Sequence, residues 1–343
     1  MSTGDPSPRF PVHLLVLASQ MYYFEDFTQA EIARKLGTSR ASVSRLLSEA
    51  RRQGVVKIEI SAPLDLDEQG LAADVAVALG LTEVYVAPGS SGGSTSGPLE
   101  AAEGSALSSA LSAALVAAQL RPGDVLLTSS GRTVDTVARG ALPPLPGVVV
   151  APMLGGQDEP EPWYQTNEIC RCFAERVGGR PSFLYAPALP GPELYPVLCD
   201  EPSIRRVLDL WRTARCAVVG VGAPPLTRQS IPGFVPTDAL SLREAVGDVC
   251  SRFYDRDAVE VPFPGSDRLM ATSLETLRDI PVVIAVATGA EKLTAIITGA
   301  RGRYFNRLVT DTDTAEALLA AAAQMSASKP RTPDKRRSPV PQT

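Results

Sequence analysis

The sequence of 343 residues contains a single histidine, His13, and an odd number of cysteines, five. No two cysteines have the Cys-x-x-Cys spacing, and the closest pair, Cys170 and Cys172, is only two residues apart. These absences argue against histidine-based catalysis, a zinc site and a disulfide framework. Free buried thiols are the simplest interpretation, and a redox or metal role is the alternative. We expect no metal, no cofactor and no catalytic residues.

Long apolar runs are also absent, since no stretch reaches the roughly eighteen apolar residues that a membrane helix needs. The N-terminus, MSTGDPSPRF, lacks the cationic start and apolar core of a signal peptide. We therefore expect a cytoplasmic protein that does not contact a membrane. A hydrophobic content of 44% with 21% charged residues is typical of a globular protein, and the length favours two domains.

Residues 28–57 have the pattern of a helix-turn-helix followed by a strand. Thr28 and Glu31 have the spacing of a capping box, and Gly37 is suited to end the first helix. Ser39 is suited to cap the second helix. In that helix apolar residues recur at i, i+3, i+4 and i+7 and should pack inward: Val43, Leu46, Leu47 and Ala50.

The opposite face of the second helix is small, polar and cationic, as expected of an element that enters a DNA major groove. Residues 28–57 carry seven Lys or Arg against two Glu, whereas the whole chain has a net charge of −5. Such local positive charge favours contact with phosphates. The alternative, a solvated helical hairpin, is less favoured because caps, turn, apolar period and charge all agree.

The rest of the chain predicts an α/β fold of Rossmann-like type. Helices are expected at 71–80 and 99–118, and short apolar strands at 84–88, 124–130, 147–154, 183–189, 217–222 and 281–288. Near-continuous apolar strands separated by helices indicate a parallel sheet covered on both faces. We predict disorder at 1–8, a DNA-binding domain at 9–62 with a first helix at 9–24 and a strand at Val55–Ile60, an effector and oligomerisation domain at 63–325, and a disordered basic tail at 326–343.

The two domains together resemble the SorC family, also called SorC/DeoR-like, of bacterial sugar-responsive transcriptional regulators. The resemblance rests first on Tyr22-Tyr23, Gln29, Ile32-Ala33, Ser39-Arg40, Val43 to Leu47, Gly54 and Val56. It continues in the segments 217–224, 247–255, 267–296 and 306–315, whose order and spacing are specific together. The resemblance implies a domain similar to sugar-phosphate isomerases that senses a sugar or sugar phosphate, and dimers or tetramers that bind double-stranded operator DNA.

The helix-turn-helix pattern assigns the DNA contacts. Arg40, Ala41 and Arg45 should face base edges, and Gln29 should hold a phosphate at the start of its helix. The complete predicted surface is Gln29, Thr38, Ser39, Arg40, Ala41, Ser42, Ser44 and Arg45.

Ligands of doubly wound folds lie at the carboxyl ends of strands, and three such ends carry suitable residues, the third of them at Asp267. The turn of Ser129, Ser130, Gly131, Arg132 and Thr133 offers hydroxyls, amides and a guanidinium for a phosphate. Its alternative is a plain strand-to-helix turn. At Gly289 and Lys292 the resemblance places a phosphate-binding lysine, and the alternative is a solvated surface lysine.

Further effector residues are expected on neighbouring segments. Asp267 could accept bonds from sugar hydroxyls, although an ion pair with Arg268 is nearly as well supported. Gly155 and Gly156 close another strand, and Asn167 matches a family asparagine. The family often has Trp where this chain has Ser130, which puts stacking on a sugar in doubt. Acidic residues after Gly156 favour a ligand with one phosphate or none.

Three functions are compatible with these features. A ligand-controlled DNA-binding regulator of a carbohydrate operon is favoured. A sugar-phosphate isomerase or lyase fused to a DNA-binding domain is the alternative, with Asp267 and Lys292 as candidate groups. A ligand-free architectural DNA-binding protein is the third.

Overall fold

The computed structural model describes residues 10–25, 27–56, 66–89, 98–228, 230–236 and 238–327. The chain divides into two compact units, Met1–Pro63 and Leu64–Thr343. The predicted disordered N-terminus lies outside the described residues, as do most of the tail predicted at 326–343 and most of the strand predicted at Val55–Ile60. Residues 326 and 327 are described and end helix Thr312–Ala327, so the tail prediction began two residues too early; residues 55 and 56 are described and are not in a strand. None of the described helices is long and apolar enough to cross a bilayer.

The first unit contains three helices, α1 (Val12–Tyr23), α2 (Gln29–Lys35) and α3 (Arg40–Arg52). The capping box is confirmed, since Glu31 N donates to Thr28 Oγ1 at 3.3 Å and Thr28 N donates to Glu31 Oε2 at 2.9 Å. Gly37 is left-handed with φ 63°, and Ser42 N donates to Ser39 Oγ at 3.1 Å. The sequence pattern therefore predicted the turn and both caps correctly.

The core of this unit lies between the three helices. All four predicted apolar residues of α3 are buried, and they pack against Leu15, Ala18, Ile32 and Ala33. In α1 not every apolar side chain is buried, since Leu17 and Tyr22 are 38% and 37% exposed. The helix buries only the stripe of Leu15, Ala18 and Ser19, and Leu17 lies about 100° around the helix from Ala18.

The second unit is built on a sheet of seven strands: β1 (Glu83–Ala87), β2 (Val125–Thr128), β3 (Val149–Pro152), β4 (Arg180–Pro181), β5 (Cys216–Gly220), β9 (Val282–Val286) and β10 (Arg307–Asp311). Their order in the sheet is β1-β10-β9-β5-β2-β3-β4, and every neighbouring pair is parallel. The helices are α4 (Leu66–Leu79), α5 (Pro98–Ala117), α6 (Arg132–Ala138), α7 (Thr166–Val177), α8 (Leu194–Asp200), α9 (Pro202–Thr213), α10 (Leu274–Asp279), α11 (Leu293–Arg301) and α12 (Thr312–Ala327).

Both faces of the sheet are covered, as the apolar strands predicted. Residues of α5, α6 and α7 form one core with Leu126, Val150 and Ile284, while α4, α9, α10, α11 and α12 contribute to the other core. Side chains alternate along a strand, so Val125 and Leu127 join the second core while Leu126 joins the first.

One predicted strand is wrong. Residues 183–189 form no strand, and the sheet edge is instead the two-residue β4. Pro187 cannot donate a backbone hydrogen bond and makes only an isolated bridge with Gly156. The Leu184 amide donates to the side chain of Asn167 rather than to a strand.

A small antiparallel sheet was not anticipated by the sequence analysis. It consists of β6 (Gly247–Val249), β7 (Arg252–Tyr254) and β8 (Glu260–Val261). Cys250 and Ser251, which connect β6 to β7, have φ values of 52° and 59°. Positive φ at both central residues is the requirement of a type I′ hairpin turn, and it usually selects Asn or Gly. The turn matters because both residues line the cavity described next.

Candidate functional site

A cavity of about 590 Å³ opens in the second unit, next to the carboxyl ends of β2, β5 and β9. This is the position where parallel α/β sheets bind ligands. Most of its polar lining comes from the turn after β2 with the start of α6, the loop after β5, strand β6 with the turn after it, and the segment after β9: Ser130, Arg132, Thr133, Thr227, Arg228, Ser230, Asp248, Ser251, Thr288, Glu291 and Lys292.

The turn before α6 supplies four of the predicted residues, Ser130, Gly131, Arg132 and Thr133. Gly131 has φ 124°, and its amide donates to the Trp163 carbonyl at 2.8 Å, so this amide is not free for a ligand. Ser129 does not line the cavity. It is buried, and its Oγ accepts a hydrogen bond from Gly220 N at 3.0 Å, which ties the end of β2 to β5.

Lys292 lines the cavity from the end of a 3₁₀ helix, Ala290–Lys292, that precedes α11. Burial lowers the pKa of Lys292, and the charges of Arg132 and Arg228 act in the same direction. Glu291 and Asp248 oppose this shift. Gly289 is not part of the lining, and its amide donates to Thr314 Oγ1 at 2.9 Å. Of the Gly289 and Lys292 pair, only the lysine faces the cavity.

The ion pair of Arg228 and Asp248 was missed by the sequence analysis. Arg228 Nη1 lies 2.6 Å from Asp248 Oδ1, and both side chains are largely buried. Ser251 N donates to Asp248 Oδ2 at 3.0 Å. Nε and Nη2 of Arg228 are buried and have no hydrogen-bond partner within the described part of the chain. Both residues stand in or beside segments that carry the family resemblance, but only the unpredicted sheet places Asp248 at the cavity.

Trp163 brings an aromatic ring to the cavity from a different segment than expected. It lies on a 3₁₀ helix, Pro162–Tyr164, and its ring centre is 4.9 Å from the Arg132 guanidinium carbon. At its own position Ser130 offers no ring, and the sequence predicts no other aromatic side chain there. A single Trp on a three-residue 3₁₀ helix gives no sequence signal for such a contact.

Besides Ser129 and Gly289, four further predicted effector residues do not line the cavity: Gly155, Gly156, Asn167 and Asp267. Asn167 Nδ2 donates to the Leu184 carbonyl at 3.1 Å, and Leu184 N donates back to its Oδ1 at 3.0 Å. A Cβ on Gly155 would lie 2.7 Å from the carbonyl oxygens of Ala186 and Pro187, so this glycine permits close packing.

The remaining two of the four also serve the fold or face solvent. Gly156 N donates to the Ala186 carbonyl at 2.8 Å. Asp267 is exposed on a 3₁₀ helix, Ser266–Arg268, and Arg268 donates to the Pro190 carbonyl. No ion pair joins Asp267 to Arg268 within the ranges that the structure describes.

The outer face of α3 in the first unit presents the predicted DNA-binding side chains. Thr38, Ser39, Arg40, Ala41, Ser44 and Arg45 are exposed, while Gln29 and Ser42 are partly buried. Arg45 Nε donates to the Ala41 carbonyl at 3.4 Å. Arg52, in contrast, is paired with Glu49, so its charge is partly neutralised. Arg40 and Arg45 form no ion pair with any residue of the described ranges.

Comparison with protein families supports both units. Residues 67–320 match the family described as "Putative sugar-binding domain", and residues 20–53 match "Sigma-70, region 4". The sorbitol operon regulator of Klebsiella pneumoniae is 33% identical over 90% of this chain and 98% of its own length. The deoxyribonucleoside regulator of Bacillus subtilis is 28% identical over 89% of this chain and 97% of its own.

Solved structures show the same fold. The full-length sorbitol operon regulator SorC from Klebsiella pneumoniae superimposes with a TM-score of 0.72 at 32% identity, covering 90% of this chain and 99% of that chain. A probable sor operon regulator from Shigella flexneri gives a TM-score of 0.62 at 26% identity, covering 74% and 99%.

Proposed function

This chain belongs to the SorC family of transcriptional regulators, and from that premise we propose that a sugar or sugar monophosphate bound in the cavity controls its affinity for operator DNA. The observation that carries the proposal is the convergence of Arg132, Arg228 and Lys292 with Asp248 on one cavity at the carboxyl ends of the strands. Cations suit an anionic group, and a carboxylate suits hydroxyl groups.

The charges of the cavity favour a ligand with a single phosphate or none. Arg132 and Arg228 disfavour the charged form of Lys292, so an anion placed among the three would relieve their mutual repulsion. Asp248 and Glu291 offset two of the three positive charges. A second phosphate would therefore lack a matching cation. Each Asp248 oxygen keeps a lone pair beyond its bond with Arg228 or Ser251, so Asp248 can accept from sugar hydroxyl groups, together with the hydroxyls of Ser130 and Thr133.

The effector would control DNA binding by favouring one quaternary state over another. One helix-turn-helix offers few base contacts, so high specificity requires paired half-sites and therefore at least a dimer, with a tetramer favoured by the family resemblance. Arg40, Ala41 and Arg45 would face base edges in the major groove. Such a regulator acts in the cytoplasm, where its operator lies.

The direct test is a thermal-shift screen of sugars and sugar phosphates, followed by calorimetry of the best ligand with wild type and Lys292→Ala. A ligand that binds the folded state raises the unfolding temperature. Losing one charge-assisted contact should weaken binding roughly ten- to hundredfold. Operator binding should persist, because Lys292 lies in the second unit and the helix-turn-helix in the first.

Arg212→Ala is the matched control for this test, since Arg212 is a cation on α9 with an 83% exposed side chain outside the cavity lining. It should leave ligand affinity unchanged. Equal affinity in wild type and Lys292→Ala would place the effector site elsewhere and leave only the DNA-binding half of the proposal.

An enzymatic function is the second candidate, because a lysine with a lowered pKa is suited to act as a base or nucleophile. It would make the second unit a sugar-phosphate isomerase or lyase. Turnover of the ligand found in the screen, lost in Lys292→Ala, would favour the enzyme. Binding of that ligand without turnover favours the regulator.

A further inference from the structure

We infer that Trp163 is a positioning residue whose indole ring holds the Arg132 guanidinium at the cavity, where it can present paired N–H groups to a phosphate. The inference rests on the proposed function, because it assigns a role within the same effector site. It adds to that site a residue that would not touch the phosphate but would orient the arginine that does.

Arg132 needs such a partner because little else fixes its side chain. It is exposed, and no carboxylate within the described residues forms an ion pair with it. Arg139, the residue directly after α6, is instead held by an ion pair, in which its Nη2 lies 2.8 Å from Asp135 Oδ1. The Arg132 guanidinium instead lies over the Trp163 ring, with its carbon 4.9 Å from the ring centre. Stacking on an aromatic face restricts an otherwise flexible arginine.

The backbone segment that carries the Trp163 ring is held against the turn that carries Arg132. The Trp163 carbonyl accepts the amide hydrogen of Gly131, the residue directly before Arg132, at 2.8 Å. Gln157 Nε2 donates to Ser130 Oγ at 3.0 Å and to the Tyr164 carbonyl at 3.3 Å. The segment that carries the ring is therefore bonded to the turn that carries the guanidinium, and the two side chains meet at a defined place on the cavity wall.

The position of the pair explains why it should act on an anion. Arg132 is close enough to Lys292 to disfavour the charged form of that lysine. Without the ring, the guanidinium could move into solvent, away from this repulsion. With the ring, it stays beside Lys292, and a phosphate can contact both cations. A planar guanidinium held in place also loses less conformational entropy when it forms two parallel hydrogen bonds.

A double-mutant cycle tests the inference, with inorganic phosphate as the probe and the full-length protein as the sample. The variants are Arg132→Gln, Trp163→Leu, Trp163→Phe and the double variant Arg132→Gln/Trp163→Leu. Phosphate dissociation constants are taken from the rise of the unfolding temperature with phosphate concentration. The unliganded unfolding temperature and circular dichroism of each variant show whether it is folded. Tyr185→Leu, at an aromatic residue that is 75% exposed and outside the cavity lining, is the control.

We expect Arg132→Gln to weaken phosphate binding roughly tenfold. Trp163→Leu should weaken it about two- to fivefold in the wild type and not at all in the Arg132→Gln background. Trp163→Phe should retain most of the phosphate affinity that Trp163→Leu loses, because phenylalanine also offers a ring face. The control should bind phosphate like the wild type.

Two results would overturn the inference alone. One is an equal loss from Trp163→Leu in both backgrounds, which would mean that the ring acts independently of Arg132. The other is no loss from Trp163→Leu while Arg132→Gln binds weakly. If Arg132→Gln binds phosphate as the wild type does, then the anion site of the proposed function is wrong at Arg132, and the inference fails with it.

Discussion

Asp248 and Arg228 form an ion pair in the wall of the cavity, and the backbone of Gly222 lies directly against both side chains. A Cβ on Gly222 would overlap Asp248 Oδ1 and Arg228 Nη1. The Gly222 amide also donates to the Asp248 carbonyl at 3.0 Å. Because Gly222 has no side chain, its backbone can bond to the Asp248 backbone and still leave room for the largely buried ion pair.

Gly222→Ala should separate this pair. The added methyl group forces Asp248 and Arg228 apart, and both charges are too buried for water to replace the partner fully. We expect a loss of about 1–3 kcal/mol in the free energy of unfolding, measured in urea, together with weaker effector binding. Gly191→Ala is the control, since a methyl group there meets no atom within 4 Å. Equal stability of the two variants would show that the pair tolerates displacement.

Asp248→Asn should change the selectivity of the cavity. The substitution keeps the shape of the side chain but removes a negative charge beside Arg228 and Lys292. Inorganic phosphate should then bind more tightly, because one repulsive charge is gone, while the effector loses an acceptor for its hydroxyl groups. Calorimetry with both ligands checks this. A parallel change in the two affinities would contradict a separate role for Asp248 at the hydroxyl groups.

The local features of the fold could be predicted from the sequence. The caps of α2 and α3, the glycine turn and the individual apolar strands each follow from a pattern within one segment, such as Thr28 with Glu31. The prediction of a strand at 183–189 was wrong, because an apolar run does not show whether its backbone can pair with a neighbouring strand. Pro187 cannot donate to a neighbouring strand.

The cavity could be predicted only in part, for a related reason. Arg132 and Lys292 stand next to strand ends, where a general rule of α/β folds places ligands. Asp248 and Trp163 reach the cavity through contacts between segments far apart in the sequence, and no local pattern marks such contacts. Asn167, in contrast, matches a family asparagine but does not line the cavity. Its side-chain amide donates to the Leu184 carbonyl and accepts from the Leu184 amide.

Lys292→Met should raise the stability of the ligand-free protein at neutral pH. Burial lowers the pKa of Lys292 in the folded protein, so its charged form costs free energy there. Between that lowered pKa and the ordinary lysine value near 10.4, the unfolded chain binds more protons, and wild-type stability rises with pH. The advantage of the methionine variant should therefore shrink as pH rises through this window. Urea unfolding across pH 7 to roughly 10.5 measures it. An advantage that does not vary with pH would indicate a packing effect.

The assembly is predicted to be a dimer or tetramer. Light scattering at micromolar concentration, with and without operator DNA, gives the mass directly. A monomer has a mass of 36.2 kDa, and we expect a multiple of this value. A mass at the monomer value under both conditions would contradict the pairing of half-sites.

Arg45→Ala should weaken operator binding by about 1–3 kcal/mol and relax base preference, because Arg45 is exposed on the outer face of α3 with no carboxylate of the described chain to neutralise it. Gln29→Ala should weaken binding to all sequences alike, since a phosphate contact carries no sequence information. Arg52→Ala is the matched control on the same helix, where Glu49 already holds the guanidinium. Fluorescence anisotropy with the operator and a scrambled duplex, at a fixed salt concentration, separates affinity from selectivity. If Arg45→Ala keeps both, then another face of the first unit contacts the base edges.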